Sequence, residues 1–545
     1  MARYDEALSQ AVALHQAGHF VAAEAAYRAL LATGGDDPNL IHLLGVVSGQ
    51  LGRPAEAVGL IRQAIARDAT NPQFFQNLAA SYERMGRAHE AAEAYNELGK
   101  LLQKLGNFVA AAEAYEVALR LVPGAAGALN NLATALLRQG RHDEAIAILE
   151  RAIAASPEAA EGYNNLGYAL HGVGRLVEAT EAYRQALARN PSFPEALSNL
   201  GNARQHLGDL EGAIANYRAA LALNPDFAAG HWNLSHALLS KGEFEAGWRE
   251  YEWRWRWDDF TELRRNFTQP YWQGEPPAAL DGPLLVITEQ GFGDTIQFCR
   301  LVPQLAARGY RLIFEVERAL YPLIWMNFGR YGIKVVPRTD SPRVVEGEPR
   351  FAAYVSLMSL PLRLGLTLAS VPAKVPYLEA EPGRVEAWRR RLGPGFHVGL
   401  AWAGRPGHIG DRVRSIAPER LAPLFRVAGV KFWSIQRGAA EAKLAAAGLA
   451  ATELGEELVD FGETAAAITA LDLVIAVDTA VSHLAGALGR PGWVMLPHVA
   501  DWRWLVERTD SPWYPTLTLY RQKIPGNWDE VIARAAADLA ARART

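Results

Sequence analysis

Four prolines, Pro123, Pro157, Pro191 and Pro225, stand 34 residues apart. The same step links Tyr115, Leu149, Tyr183 and Tyr217, then Ala118, Ala152, Ala186 and Ala220, then Leu132, Leu166, Leu200 and Leu234, then Gly140, Gly174, Gly208 and Gly242. Independent columns in one phase mean that a single supersecondary unit is built repeatedly, which rules out one globular core for this part of the chain. The residue types say what the unit is. Each glycine sits where a helix would end in a left-handed cap. The alanines allow close helix packing, and each proline falls just beyond a second helix that it cannot continue.

The pattern resembles the tetratricopeptide repeat. Gly18, Gly52 and Gly86 extend it toward the N-terminus. The step from Gly86 to Gly106 is only 20, so the phase predicts a truncated unit near 96–106 with its first helix mostly missing. About eight helical pairs are expected over residues 4–257, stacked as a curved solenoid with a concave face. Asn131, Asn165, Asn199 and Asn233, with Asn77 equivalent in an earlier unit, form a column on that face. An amide offers donors and an acceptor, so the column is expected to face solvent and to pair with the backbone of an extended protein acceptor.

The chain has 545 residues, half of them hydrophobic, and a net charge of −4. That balance gives no general attraction to nucleic acid or an anionic membrane. The single cysteine, Cys299, makes no intrachain disulfide and fits a reducing, cytoplasmic setting. No apolar run reaches the ~20 residues a membrane span needs, and the opening residues show no signal peptide.

Six of the 15 tryptophans fall between Trp232 and Trp272. Trp253, Trp255 and Trp257 alternate, which predicts extended backbone. Arg254 and Arg256 lie between them, but without a larger basic patch the expected role is packing of the repeats against the next domain. Residues 258–281, with Pro270, Pro276 and Pro277, read as a linker.

From residue 282 the grammar is βαβ: LLVIT, a glycine turn EQGFGD and a helix, then RLIFEV and GIKVV. It restarts near 396 with FHVGLAW, KFWSIQ, LDLVIAV and WVML. Two parallel-sheet lobes, 282–393 and 394–545, are expected, with ligands beyond the carboxyl ends of the strands. The chain has no dinucleotide fingerprint, Walker loop, G-x-S-x-G elbow, metal-spaced His/Cys cluster or D-x-D.

GFGDTIQFCRLVP (291–303) and LDLVIAVDTAVSHLAGALGRP (471–491) resemble glycosyltransferase family 9, the heptosyltransferase-like family. The resemblance implies an α-solenoid followed by a GT-B fold of two Rossmann-like lobes, acceptor side first and nucleotide-sugar side second. With DWRW (501–504) and SPWYP (511–515), the arrangement looks like bacterial fusion proteins that include flagellin glycosyltransferases.

The resemblance also assigns roles. Asp294 matches the family's catalytic base, although an Asp at a helix N-terminus also serves as a cap. Asp478, Thr479, Ala480 and His483 match residues that contact donor phosphate and sugar, with Ala480 where the family usually has glycine. The basic loop 404–415 is where the family meets the diphosphate, so Arg412 and Arg414 are the candidates, since guanidinium fits phosphate bidentately. Gln436 closes a strand where a ribose or base would lie. Glu289, Gln290, Gly293, His408, Asp501 and Trp502 are further candidate contacts, with packing an equal reading for Trp502.

The function expected is inverting, metal-independent and cofactor-free transfer of a sugar from a nucleotide-sugar to Ser or Thr of a protein held by the repeats. For flagellin, the resemblance implies a nonulosonic sugar. A glycan- or lipopolysaccharide-acceptor transferase is the second reading, and a non-catalytic scaffold the third.

Overall fold

The computed structural model describes residues 2–34, 36–260, 265–341, 345–347, 349–404, 411–438 and 443–544. His408 therefore lies outside the described residues, as does the side chain of Arg412. The chain divides into two compact units, Met1–Ala203 and Arg204–Thr545.

Helices succeed one another from Ala2–Gln16 to Phe244–Tyr251 with short turns between them. The repeating glycines sit where the sequence puts them. Gly18, Gly52, Gly86, Gly106, Gly140, Gly174, Gly208 and Gly242 all have φ between 70° and 87°, a conformation in which a Cβ would be strained.

The structure corrects the expected truncated unit. No helix is missing near 96–106. One 17-residue helix, Ala88–Lys104, packs against both Pro72–Arg84 before it and Phe108–Leu121 after it. It serves as the second helix of one pair and the first helix of the next. Its residues show this double phase. A Cβ on Gly99 would collide with the Tyr115 ring, as one on Gly167 would with Tyr183, both pairs displaced by the same two repeats. The lost 14 residues are a helix used twice, so the stacking continues without a gap.

The second unit holds two parallel sheets. In the first lobe, β1 (Leu284–Ile287) lies between β2 (Leu312–Val316) and β4 (Ala353–Ser356), with β3 (Lys334–Pro337) beyond β2. Val286 pairs with Phe314 on one side and Val355 on the other. The second lobe contains β5 (Phe396–Ala401), β6 (Val430–Ser434), β7 (Thr452–Glu453), β8 (Leu473–Val477), β9 (Gly492–Leu496) and β10 (Leu517–Arg521), in the order β10-β9-β8-β5-β6-β7. That is the doubly wound dinucleotide-fold order, and the first lobe repeats its first four positions. Such sheets are covered on both sides, which is why their strands read as unbroken apolar runs.

The tryptophan-rich segment is not extended. Glu252–Arg256 is a 3-10 helix, with Arg254 buried and Arg256 exposed. Trp253 stacks on His231 at 3.8 Å, Trp257 lies against Trp232, and Trp255 meets Phe260 edge-on. Arg254 points the other way and is fully buried. It donates to Glu289 at 2.7 Å and to Ser359 at 2.8 Å. Trp248, from the last repeat, packs edge-on against Trp502 and Phe298. Phe244, Trp248 and Tyr251 thus belong to the same hydrophobic core as the strands of the lobes. Residues 265–272 are also tied down: Arg265 pairs with the buried Glu315, and the Trp272 amide donates to the Tyr354 carbonyl at 2.8 Å.

Candidate active site

β1 ends at Ile287, and the glycine turn behind it carries the first set of candidates. Gln290 sits at φ 64°, and its Nε2 donates to the Tyr251 hydroxyl at 2.6 Å. Glu289 is buried, accepting from Arg254 and from the Ser356 hydroxyl. Burial pushes its carboxyl up against the opposing charge of Arg254. Both residues are therefore placed as anchors between the last repeat and the first lobe. Asp294 lies in the first turn of helix Phe292–Phe298. Its Oδ2 accepts from the Gly291 amide at 2.9 Å, so it does cap its helix, and its Oδ1 accepts from Arg503.

The second lobe supplies the other wall. Asp478 follows β8 directly, and helix Ala480–Ala487 starts two residues later. Burial, reinforced by the charge of Asp501, pushes the Asp478 carboxyl up to about 6. His483 is buried in the same helix, with Nδ1 3.0 Å from the Tyr514 hydroxyl and Nε2 3.7 Å from Asp478. Burial, then the charge of Arg503, takes it down to about 3, so its ring is neutral at ordinary pH. Gly293 has a steric role: a Cβ there would stand 2.9 Å from His483 Cδ2. Its absence lets helix Phe292–Phe298 settle on helix Ala480–Ala487 and brings the two lobes together. The Thr479 hydroxyl turns back to the Val477 carbonyl at 3.3 Å, while Thr479 and Ala480 stay half-exposed at the helix N-terminus.

Asp501 follows β9 and accepts from Arg503 at 2.8 Å. Arg503 thus bridges Asp501 and Asp294. Burial works against its charge, but the two carboxylates outweigh burial and raise its pKa. Trp502 is 1% exposed, enclosed by Trp248, Phe298 and Trp513, which is the packing alternative. Gln436 is also occupied. Its Oε1 accepts from the Trp402 and Ala403 amides, and its Nε2 donates to the Arg437 carbonyl, so it ties the ends of β5 and β6 together. Arg414 is half-buried beside Asp411, and its charge acts on Asp478. Among the described residues no group of three or more His, Cys, Asp or Glu side chains is disposed to hold a metal ion.

In the first unit, the asparagine column is half-buried rather than free in solvent, which corrects the expectation. Asn131 donates to Asn96 at 2.9 Å, Asn165 to Asn130 at 2.9 Å and Asn199 to Asn164 at 3.0 Å, while Asn77 lies 2.9 Å from His42 Nε2. Each bond spans 35 residues, one repeat plus one position. The acceptors Asn130 and Asn164 stand directly before the column members Asn131 and Asn165, and Asn96 takes the same place one unit earlier, so the column stitches one repeat to the next.

Arg503 is the residue that the sequence does not single out. The DWRW motif is visible, but an arginine between two tryptophans carries no sign of the carboxylate it meets in the other lobe. The contact of Tyr251 from the last repeat with Gln290 is equally hidden, because a repeat column does not report what lies against its final member.

The tetratricopeptide-repeat family matches residues 96–160, 131–194 and 182–215, and a TPR repeat matches 206–242. Glycosyltransferase family 9 (heptosyltransferase) matches 428–493, which includes β6, β8 and the Asp478–His483 segment. The chain carries tetratricopeptide repeats over 96–242 and is similar to glycosyltransferase family 9 over 428–493. Protein FlbA of Caulobacter vibrioides is 30% identical over 324 residues, covering 55% of this chain and 52% of FlbA. The chain spans about half the length of this curated relative. Among solved structures, MamA is 24% identical, covering 28% of this chain and 91% of MamA with a TM-score of 0.26. A thermophilic TPR protein of Thermus thermophilus is 23% identical, covering 37% of this chain and 99% of that one with a TM-score of 0.23. No helix of the described residues is long and apolar enough to cross a membrane.

Proposed function

We propose that this protein transfers a sugar from a nucleotide-sugar to a hydroxyl group of a protein bound by its repeats. One observation carries the reading. Asp294 from the first lobe meets Arg503 from the second, which also holds Asp501, with Asp478 in electrostatic reach of Arg503 and Asp501, all beyond strand ends. Charged groups gathered at that edge of a doubly wound sheet are where such folds bind and transform ligands. The family 9 match over 428–493 supplies the class of chemistry.

Departure of a nucleotide phosphate requires positive charge. Arg414, with Arg412 in the same short helix, and the open N-terminus of helix Ala480–Ala487 are the groups proposed to meet it. On this reading transfer is inverting and uses no metal or cofactor. Asp294 is the acidic group of the site, paired with Arg503. The acceptor proposed is flagellin, modified on Ser or Thr with a nonulosonic sugar, because the fusion of repeats with these lobes resembles flagellin glycosyltransferases.

A second reading is favoured by the asparagine bonds. If the amide donors of Asn131, Asn165 and Asn199 are spent between repeats, their grip on a peptide is reduced. The acceptor is then a glycan or lipopolysaccharide, and the repeats recruit other partners. Mass spectrometry separates the two. Proteins co-purified with the wild-type chain should carry a sugar mass on Ser or Thr that is absent when the chain is Asp294→Ala. The same mass with both chains would sink the transferase reading, and a mass found only on isolated glycans would select the second acceptor.

A further inference from the structure

The resemblance gives the acceptor's proton to Asp294, but each oxygen of that carboxylate already accepts a hydrogen bond, one from the Gly291 amide and one from Arg503. A carboxylate already bonded to an amide and a guanidinium has fewer lone pairs left for an acceptor hydroxyl. Another group faces the same cluster. His236 belongs to helix Ala228–Lys241 of the last repeat, which packs against the turn Trp502–Trp504. Its Nδ1 lies 3.0 Å from the Trp232 carbonyl and 3.2 Å from the Ser235 hydroxyl, and that hydroxyl itself donates to the Trp232 carbonyl at 2.6 Å. A carbonyl only accepts, so Nδ1 carries the hydrogen and Nε2 carries the lone pair. Among the described residues nothing is bonded to Nε2.

The half-buried ring is flanked by Trp232 at 4.3 Å and Tyr251 at 5.8 Å, and the charges of Asp501, Arg503 and Asp294 all act on it. Burial lowers its pKa below the ordinary histidine value, which keeps the ring neutral at neutral pH. An unpaired imidazole nitrogen is the side-chain group most often used as a general base.

We propose that His236 is a catalytic residue of the transfer site, supplied by the last repeat, and that its Nε2 takes the proton of the acceptor hydroxyl. The proposal rests on the glycosyl-transfer reading above. As the hydroxyl oxygen bonds to the anomeric carbon, the bond from that carbon to the donor's phosphate oxygen breaks, and the nucleotide leaves with the electron pair. The hydroxyl proton moves to Nε2 and then to water. Asp294 faces the positive charge that develops on the sugar. The last repeat is then part of the active site as well as the end of an acceptor-binding array.

The test uses the full chain and nucleotide release from a panel of UDP-, GDP-, ADP- and CMP-linked sugars, with water as the acceptor hydroxyl. His236→Asn keeps an N–H for the Trp232 carbonyl and lacks Nε2, and His236→Gln places an amide near Nε2 that cannot take a proton. Both should lower kcat by about 10²–10⁴-fold, the usual loss of a general base, with donor KM unchanged. Wild-type kcat should fall about tenfold per pH unit below the histidine pKa, and both variants should lack that limb. Wild-type kcat and an intact limb in both variants, with Asp294→Asn inactive, would return the proton to Asp294 and leave the transferase reading standing. A raised KM at unchanged kcat would make His236 a binding residue and overturn the proposal. If the wild type releases nucleotide from no donor, the transferase reading and this proposal fall together.

Discussion

Arg503 of the second lobe donates to Asp294 of the first, 209 residues earlier in the chain, and both side chains are largely shielded from water. The pair closes the gap between two lobes that each fold around their own sheet. It also joins two groups that both stand at the proposed transfer site.

Substituting either partner should therefore affect both chemistry and folding. Asp294→Asn should reduce sugar transfer by about 10²–10³-fold, the usual loss of one group that stabilises developing charge. Arg503→Met leaves Asp294 and Asp501 facing each other without the bridging cation, and breaking such a pair typically costs about 3–5 kcal/mol when it is buried. Denaturant unfolding of the two variants, beside steady-state nucleotide release, checks this. An Arg503→Met chain as stable as wild type would show that the bridge is dispensable.

Arg254 and Glu289 form a second buried pair, this one between the segment after the last repeat and the strand end that carries the site. Arg254→Met should cost about 3–5 kcal/mol by stranding the Glu289 carboxylate, and Glu289→Gln should cost less because a neutral amide keeps one partner. Trp248→Ala removes a core indole shared by the repeat and the lobes and should cost about 3–5 kcal/mol. A fragment starting at 258 loses Arg254 and Trp248 together, so its soluble yield and urea midpoint should fall below those of a fragment starting at 204.

The raised carboxyl of Asp478 predicts a pH signature. Its folded pKa of about 6 exceeds the ordinary 3.8, so the folded state binds its proton more tightly than the unfolded state does. The stability it contributes is full below the ordinary value and is lost as pH rises through about 6. Asp478→Asn removes that loss. Relative to wild type, the variant should gain up to a few kcal/mol between acid and neutral pH. Neighbouring His483 works the opposite way, since its pKa is lowered to about 3 and its neutral ring favours folding as pH rises. A wild type and variant whose stability difference is flat from pH 4 to 7 would contradict the burial argument for Asp478.

The repeat phase is readable because a 34-residue column repeats with its neighbours, and the lobes are readable because buried parallel strands are continuous apolar runs. The short strands β4, β7 and β10 are not: two to five residues between loops leave too little pattern. The shared helix Ala88–Lys104 is legible only as a missing 14 residues, since a pattern of columns cannot distinguish deletion from double use. In the site, Asp294, Asp478 and His483 stand on motifs whose spacing is local. Arg503, Tyr251 and His236 join them through tertiary packing, which leaves no local signature. Gln436 and Glu289 look like ligand contacts because they are polar residues at strand ends. Their polar groups are satisfied within the protein, as buried polar groups generally are.

The asparagine column gives the last prediction. Replacing solvent-facing asparagines with alanine would favour the helices, because alanine is the better helix former. Here Asn131, Asn165 and Asn199 each donate across a repeat boundary, so the triple alanine variant also leaves the acceptors Asn96, Asn130 and Asn164 without those donors. A lost hydrogen bond of this kind costs about 0.5–1.5 kcal/mol, so the three together should lower stability by a few kcal/mol, with incomplete additivity because they lie in one stack. The variant should therefore melt earlier while remaining helical. Pull-down of co-purifying acceptor protein, performed well below its melting temperature, then separates the two roles of the column. Retained binding with a lowered Tm assigns the asparagines to holding the solenoid together. Lost binding at an unchanged Tm would restore the peptide-binding role and refute the stitching role.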